Sequence, residues 1–225
     1  MYSVKIEVPI RAAHRLLNYE GKCRNLHGEG YTIIVEFEAE SVDNKGMLID
    51  FGTAKKKIKS FLDEYVDHTT ILSYKDFEAI NSLSRFKNIK LCLLGRGNLI
   101  SYERNVSNEV LSLIDLGTIE TSPTLVLHNE EIRVAPSIEI SSTTSLHDFL
   151  TSRFSQPLLK NVLKYHFPIE EGDLIKETNP TAENMAKIFY NIFYSGLGLS
   201  SIKRVGVVES YRDSIAYYSE EENHE

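Results

Sequence analysis

Val4, Ile6, Val8 and Ile10 alternate with Lys5, Glu7 and Pro9, the two-residue period of a strand with one buried face. Residues 31–40 repeat that period, with Ile33, Val35, Phe37 and Ala39 on one side, and predict a second strand. Residues 14–30 connect the two through a polar stretch rich in Arg, Asn, Gly and Lys. A connection of that length is uncommon in a compact domain unless it has a task. After a polar turn over 41–46, Ala54, Ile58, Phe61, Leu62 and Tyr65 fall on one stripe of a helix that ends near Asp67 and His68. A second helix opens at Asn179-Pro180-Thr181, with Thr181 as its cap and Met185, Ile188, Phe189, Ile192 and Phe193 as its stripe. Gly196 or Gly198 is placed to stop it. Strands over Ile202–Glu209 and Ser214–Tyr218 follow, and the tail 220–225 reads as solvated. The middle of the chain is less periodic. Ile89–Leu94 and residues 124–134 predict strands, the second bent at 128–130, and residues 146–164 predict a helix.

Composition narrows the class. The chain has 225 residues, enough for one domain of ordinary size or a smaller one carrying a large insertion. A net charge of −7 and a pI near 5.6 exclude a general nucleic-acid binder, which carries a basic excess. No apolar run reaches the roughly 18 residues of a membrane span, and the first residues lack the apolar core of a signal peptide. Two cysteines, Cys23 and Cys92, are too few for a disulfide framework, so the expected compartment is the cytoplasm with both thiols reduced.

The chemistry-bearing residues gather in the first third. His14 ends the first strand, and Cys23, His27 and Glu29 lie just before the second. In an extended chain His27 and Glu29 share a face. If the first two strands pair antiparallel, His14 lies beside them. Two histidines and a carboxylate then surround one point, the donor set of an open zinc site. Each piece also has a plainer reading. A histidine beside a strand is commonly a surface or half-buried residue. Cys23 reads either as an activated thiol or as an inert small side chain. The glycines around Glu29 also read as serving turn geometry alone. His128, His147 and His166, in the middle of the chain, read as surface or structural residues.

Taken together, several motifs resemble one family. They are Ala12-Ala13-His14-Arg15-Leu16, Gly21-Lys22-Cys23, Leu26-His27-Gly28-Glu29-Gly30-Tyr31, Leu48-Ile49-Asp50-Phe51 and Val66-Asp67-His68. Further on come Asn179-Pro180-Thr181-Ala182-Glu183-Asn184 and Val205-Gly206-Val207-Val208-Glu209-Ser210. In this order the chain is similar to the 6-pyruvoyltetrahydropterin and 6-carboxytetrahydropterin synthase family, the latter of queuosine biosynthesis. The resemblance covers residues 1–74 and 175–218 and leaves 75–174 as an insertion in a single domain.

The resemblance implies an α+β tunnelling fold: a four-stranded antiparallel sheet with two helices on one face. Subunits of that fold close into a trimeric barrel, or a hexamer of two stacked trimers, with active sites between subunits. His14 and His27 match two of the family's three Zn2+ ligands, and Glu29 stands where the third is a histidine. Cys23 matches the catalytic cysteine, and Asp67 and His68 match its partners from a neighbouring subunit. Glu209 matches the carboxylate that grips the pterin. Thr181 and Glu183 match a segment near the pterin pocket, although Glu183 also reads as a first-turn acid favoured by the helix dipole. The implied reaction is elimination of triphosphate from 7,8-dihydroneopterin triphosphate or a related pterin, with zinc-assisted proton transfer. A non-catalytic or retuned pterin- or purine-binding paralogue is the alternative that Glu29 and the insertion raise.

Overall fold

The computed structural model describes residues 1–83, 86–95, 99–104, 109–114, 124–128, 131–135, 138–141, 174–210 and 214–220. Strand β1 spans Tyr2–His14 and β2 His27–Ala39. Helix α1 spans Phe51–Tyr65, β3 Thr70–Ser73, α2 Phe77–Leu83, β4 Ile89–Leu94 and β5 Leu99–Arg104. Strands β6 to β9 cover Glu109–Ile114, Thr124–His128, Glu131–Ala135 and Ile138–Ser141. Helices α3, Leu174–Thr178, and α4, Ala182–Asn191, lead through a π turn, Ile192–Gly196, to β10, Ile202–Glu209, and β11, Ser214–Tyr218. The helix expected over 146–164 lies outside the described residues.

The strand order is β11-β10-β2-β1-β3-β4-β5-β6-β7-β8-β9. The first two and last two strands expected from the sequence stand together as β11-β10-β2-β1, antiparallel throughout. The expected four-stranded antiparallel sheet is nevertheless too small a description, because the sheet continues past β1 and becomes mixed. β3 pairs parallel to β1 at Ala13 and His14, and β4 pairs parallel to β3. The reason lies in the burial pattern. All four residues of β3 are buried, as are the last four of β4. Strands covered on both faces read as continuous apolar runs and show no alternation. Pro9 fits β1 because β3 reaches that edge only at its far end, so a missing N–H can be tolerated there.

Both stripes of helical periodicity face this sheet. Asp50 caps α1 by accepting the Thr53 N–H at 2.6 Å, and Ala54, Ile58, Phe61 and Leu62 are buried. Thr181 caps α4 by accepting the Asn184 N–H at 3.3 Å. Phe61 of α1 meets Phe193 edge-on with ring centroids 5.8 Å apart, which seats the two helices side by side on one face. Beneath them lie Val8, Ile33, Val35, Phe37, Val205 and Val207, nearly or wholly inaccessible. Each such side chain contributes about 1.5–3 kcal/mol of burial. This core holds the ends of β1, β2 and β10 in register, and the chemistry sits at those ends.

Candidate metal and ligand site

His14 closes β1 and His27 opens β2, and the antiparallel register sets them directly opposite each other. Alternation places His14, Ala12 and Ile10 on the helix-covered face of β1, with His27, Glu29 and Tyr31 on the same face of β2. His14 is 2% exposed and His27 half-buried. Their Nε2 atoms lie 3.1 Å apart.

The outer nitrogens settle the tautomers. His14 Nδ1–H donates to the Pro180 carbonyl at 3.2 Å, and His27 Nδ1–H donates to the Asn25 carbonyl at 2.8 Å. A carbonyl oxygen only accepts, so each Nδ1 carries the hydrogen and each neutral ring presents a bare Nε2 lone pair. Two lone pairs facing each other at 3.1 Å call for a cation between them. A proton on one ring is one solution and a metal ion is another. Burial lowers the His14 pKa, with the Pro180 carbonyl opposing it, the neighbouring His27 adding to it and Glu29 opposing. The net shift is downward, so the proton is held weakly and the donor set suits a metal ion. Cys23 Sγ completes a three-donor group with the two histidines, all ligand atoms within 4.8 Å of one another.

The loop that carries Cys23 is pinned from a distance. Lys22–Arg24 form a 3-10 turn, and the Leu16 N–H donates to the Cys23 carbonyl at 2.7 Å. The Asn179 side chain pairs with the Leu17 backbone in both directions at 2.9 Å, as a strand neighbour would. Asn184 in turn donates to the Asn179 carbonyl at 2.8 Å. One segment, 179–184, therefore caps α4, sets the His14 tautomer and holds the loop.

Acidic groups border the pair. Glu209 ends β10 opposite Tyr31, and its Oε1 lies 3.4 Å from His14 Nε2. Burial raises its pKa, and the charges of Glu29 and Glu183 add to that against the opposing His27. Glu183 in the first turn of α4 is thus close enough to act on Glu209. The Glu29 Oε1 accepts from Ser210 Oγ at 2.6 Å and from the Gly30 N–H at 3.0 Å. The sequence reading placed Glu29 beside His14 and His27 as a ligand; here its hydrogen bonds run toward β10. The Tyr31 ring meets His14 edge-on at 5.7 Å, and its buried hydroxyl has no hydrogen-bond partner among the described residues. Burial, with the charges of Glu209, Glu29 and Cys23, raises its pKa and keeps it a neutral O–H.

Asp67 and His68 stand elsewhere. Asp67 Oδ1 accepts the Arg11 N–H at 2.7 Å at the outer edge of β1, and Asp67 Oδ2 accepts from His68 Nδ1 at 2.7 Å. Burial raises the Asp67 pKa, but the Arg11 and His68 hydrogen bonds outweigh it and leave it lowered. His68 has a left-handed backbone, φ +56°, and its side chain is 77% exposed. The pair lines a cavity of about 1420 Å³ that also includes Arg11, Ala13, Gly28 and Gly30. The same walls include Ile10, Ala12, Glu29 and Tyr31, so residues of both phases of β1 and β2 contribute to it. His14, Cys23 and His27 are not among its walls.

Several partners had no role in the sequence reading: the Asn179 amide, the Pro180 and Asn25 carbonyls and Ser210. Asn179, Pro180 and Ser210 lie within the family-like motifs, which marked their segments but not these contacts.

A four-strand antiparallel core under two helices, with paired imidazoles at the strand ends, places the molecule in the tunnelling-fold class of small-molecule proteins. The chain belongs to the 6-pyruvoyl tetrahydropterin synthase family, whose sequence profile matches residues 3–221. The 6-carboxy-5,6,7,8-tetrahydropterin synthase of Rickettsia felis is 40% identical over 67 residues, 30% of this chain and 49% of that protein. The enzyme of the same name from Haemophilus influenzae is 35% identical over 74 residues, 32% of this chain and 52% of that protein. The chain thus spans about half the length of these relatives. An uncharacterized Wolinella succinogenes protein of known structure shares the fold, with TM-score 0.51, 18% identity and 98% of both chains covered.

Proposed function

We propose that this protein is a pterin synthase acting on 7,8-dihydroneopterin triphosphate or a related pterin, with elimination of triphosphate. The observation that carries the reading is the pair of bare imidazole nitrogens 3.1 Å apart beside Glu209. His14 and His27 would hold Zn2+, which when bound supplies Lewis-acid polarisation of the substrate's side-chain oxygens. Glu209 accepts two parallel N–H bonds from the guanidine-like edge of the pterin. Thr181 and Glu183 flank that end of the pocket. Asp67 orients His68 through Nδ1 and leaves the other ring nitrogen to take and return a proton. Because that pair sits at the outer edge of β1, on a cavity whose walls do not include its own chain's histidines, the complete site draws it from a neighbouring subunit of a trimer or hexamer. Pairing the length of β1 that β3 leaves open with β11 of the next copy would also cover those two strand edges.

Triphosphate release from 7,8-dihydroneopterin triphosphate by the zinc-loaded protein is the direct test. Metal binding and pterin binding without turnover would leave the retuned paralogue in its place.

Glu209 yields a pH-dependent expectation. It must be ionised to accept both N–H groups. Its pKa lies above the ordinary 4.5, raised by burial first and by Glu29 second. Pterin affinity is therefore expected to fall as pH drops, beginning at a higher pH than a solvent-exposed glutamate would give. Glu209→Gln should lose about 1.5–3 kcal/mol of binding, roughly 10- to 150-fold, and flatten the profile. Calorimetric titration with a pterin across pH measures both, and an unchanged affinity would refute the contact.

A further inference from the structure

We propose that Cys23 Sγ, not the Glu29 carboxylate, is the third protein ligand of the cation held by His14 and His27. This rests on the metal reading above and goes beyond it by assigning a thiolate to the site.

Three observations carry it. First, His14, Cys23 and His27 bring their ligand atoms within 4.8 Å of one another, a set that Glu29 does not join, while the Glu209 carboxylate lies 3.4 Å from His14 Nε2 alone. A tetrahedral zinc ion with Zn–N of about 2.0–2.1 Å and Zn–S of about 2.3 Å separates its nitrogens by about 3.3 Å and nitrogen from sulfur by about 3.6 Å. The observed 3.1 Å between Nε2 atoms is close to that geometry, and Cys23 Sγ lies within 4.8 Å of both histidines' ligand atoms.

Second, Glu29 already has partners. Ser210 Oγ at 2.6 Å and the Gly30 N–H at 3.0 Å both donate to its Oε1. Both bonds fall on one carboxylate oxygen and tie Glu29 to its own strand and to Ser210, which follows β10.

Third, the Cys23 turn is held in place before any ion arrives. Its carbonyl accepts from Leu16 at 2.7 Å, and Asn179 clamps the adjoining Leu17 backbone. Fixing the loop on the residues that directly follow His14 keeps sulfur and imidazole together.

On binding, one sulfur–metal bond forms, the thiol proton leaves to solvent and no oxidation state changes. The set becomes two nitrogens and one sulfur, with a fourth position open for a ligand oxygen. A metal-bound Cys23 is no longer free to shuttle protons, so the chain departs there from the role its family position implies.

Cobalt(II) added to the full-length protein reports the ligand directly. Wild type should develop a near-ultraviolet thiolate-to-cobalt charge-transfer band. Cys23→Ser should lose the band and weaken cobalt binding by about 100-fold or more, beyond the usual effect of outer-shell changes. Glu29→Gln should keep the band and bind within about threefold of wild type. Cobalt bound by wild type without the band would overturn the thiolate assignment and leave the metal reading standing. Loss of cobalt in Glu29→Gln with retention in Cys23→Ser would do the same. Failure of wild type to bind cobalt or zinc at all would remove the metal reading and this inference together. The wild-type spectrum decides the matter even if a variant folds poorly.

Discussion

His27→Ala is expected to purify without metal and to bind added zinc more than about 100-fold more weakly than wild type. The substitution removes one of the two Nε2 lone pairs that face each other at 3.1 Å. It also relieves the electrostatic conflict between them, so the remaining His14 no longer needs a cation. His27 is the more informative of the two positions because it is only half-buried, and its outer nitrogen bonds a carbonyl two residues away. His14→Ala would in addition leave a void at a 2% exposed position and an unpartnered Pro180 carbonyl, at a further cost of about 1–3 kcal/mol to folding. The two variants should therefore both lose metal, while only His14→Ala shows a large loss of stability measured without metal. Metal analysis and chemical denaturation in a chelator separate these effects. A His27→Ala protein that retained stoichiometric zinc would remove the pair as the metal centre.

Mixing two inactive variants is expected to restore activity. His27→Ala disables the metal side of the site, and His68→Ala disables the proton relay. In a single chain these groups stand apart, with His68 on a cavity whose walls exclude His14, Cys23 and His27. If the site is completed across a subunit boundary, a mixed oligomer contains some interfaces with both intact halves. Each variant alone should show almost no triphosphate release. The pair, co-expressed or mixed after dissociation, should recover a substantial fraction of it. Light scattering should show an oligomer in every case. Monomer at all concentrations, or no recovery in demonstrably mixed oligomers, would mean that the halves do not meet in this way.

The two helices were legible because each has a single buried face, and α1 and α4 carry stripes at helical spacing. In β10 the four consecutive residues Val205, Gly206, Val207 and Val208 are all buried. β2 begins four residues before its alternation shows, at His27, since Gly28 and Gly30 leave no apolar phase to read. β3 gave no signal because both of its faces are covered.

The site was legible to a different depth. His14, His27, Cys23, Glu29 and Glu209 are local features of three strand ends and one turn, so their residue types alone mark them. Their juxtaposition is another matter. The register of β1 against β2 puts His14 opposite His27, and that of β10 against β2 puts Glu209 opposite Tyr31.

What the sequence by itself determined is the periodicity of the elements, the acidic charge and the inventory of donor groups. Those are properties of near neighbours in the chain. The tertiary structure alone decided which nitrogen each histidine turns inward, where the Glu29 carboxylate finds its partners and where Asp67 and His68 stand. The partners that decide these things are remote: Pro180 lies 166 residues from His14, and Ser210 lies 181 residues from Glu29. A hydrogen bond acts over about 3 Å of space, so no local pattern can record a partner that only the folded sheet brings into reach.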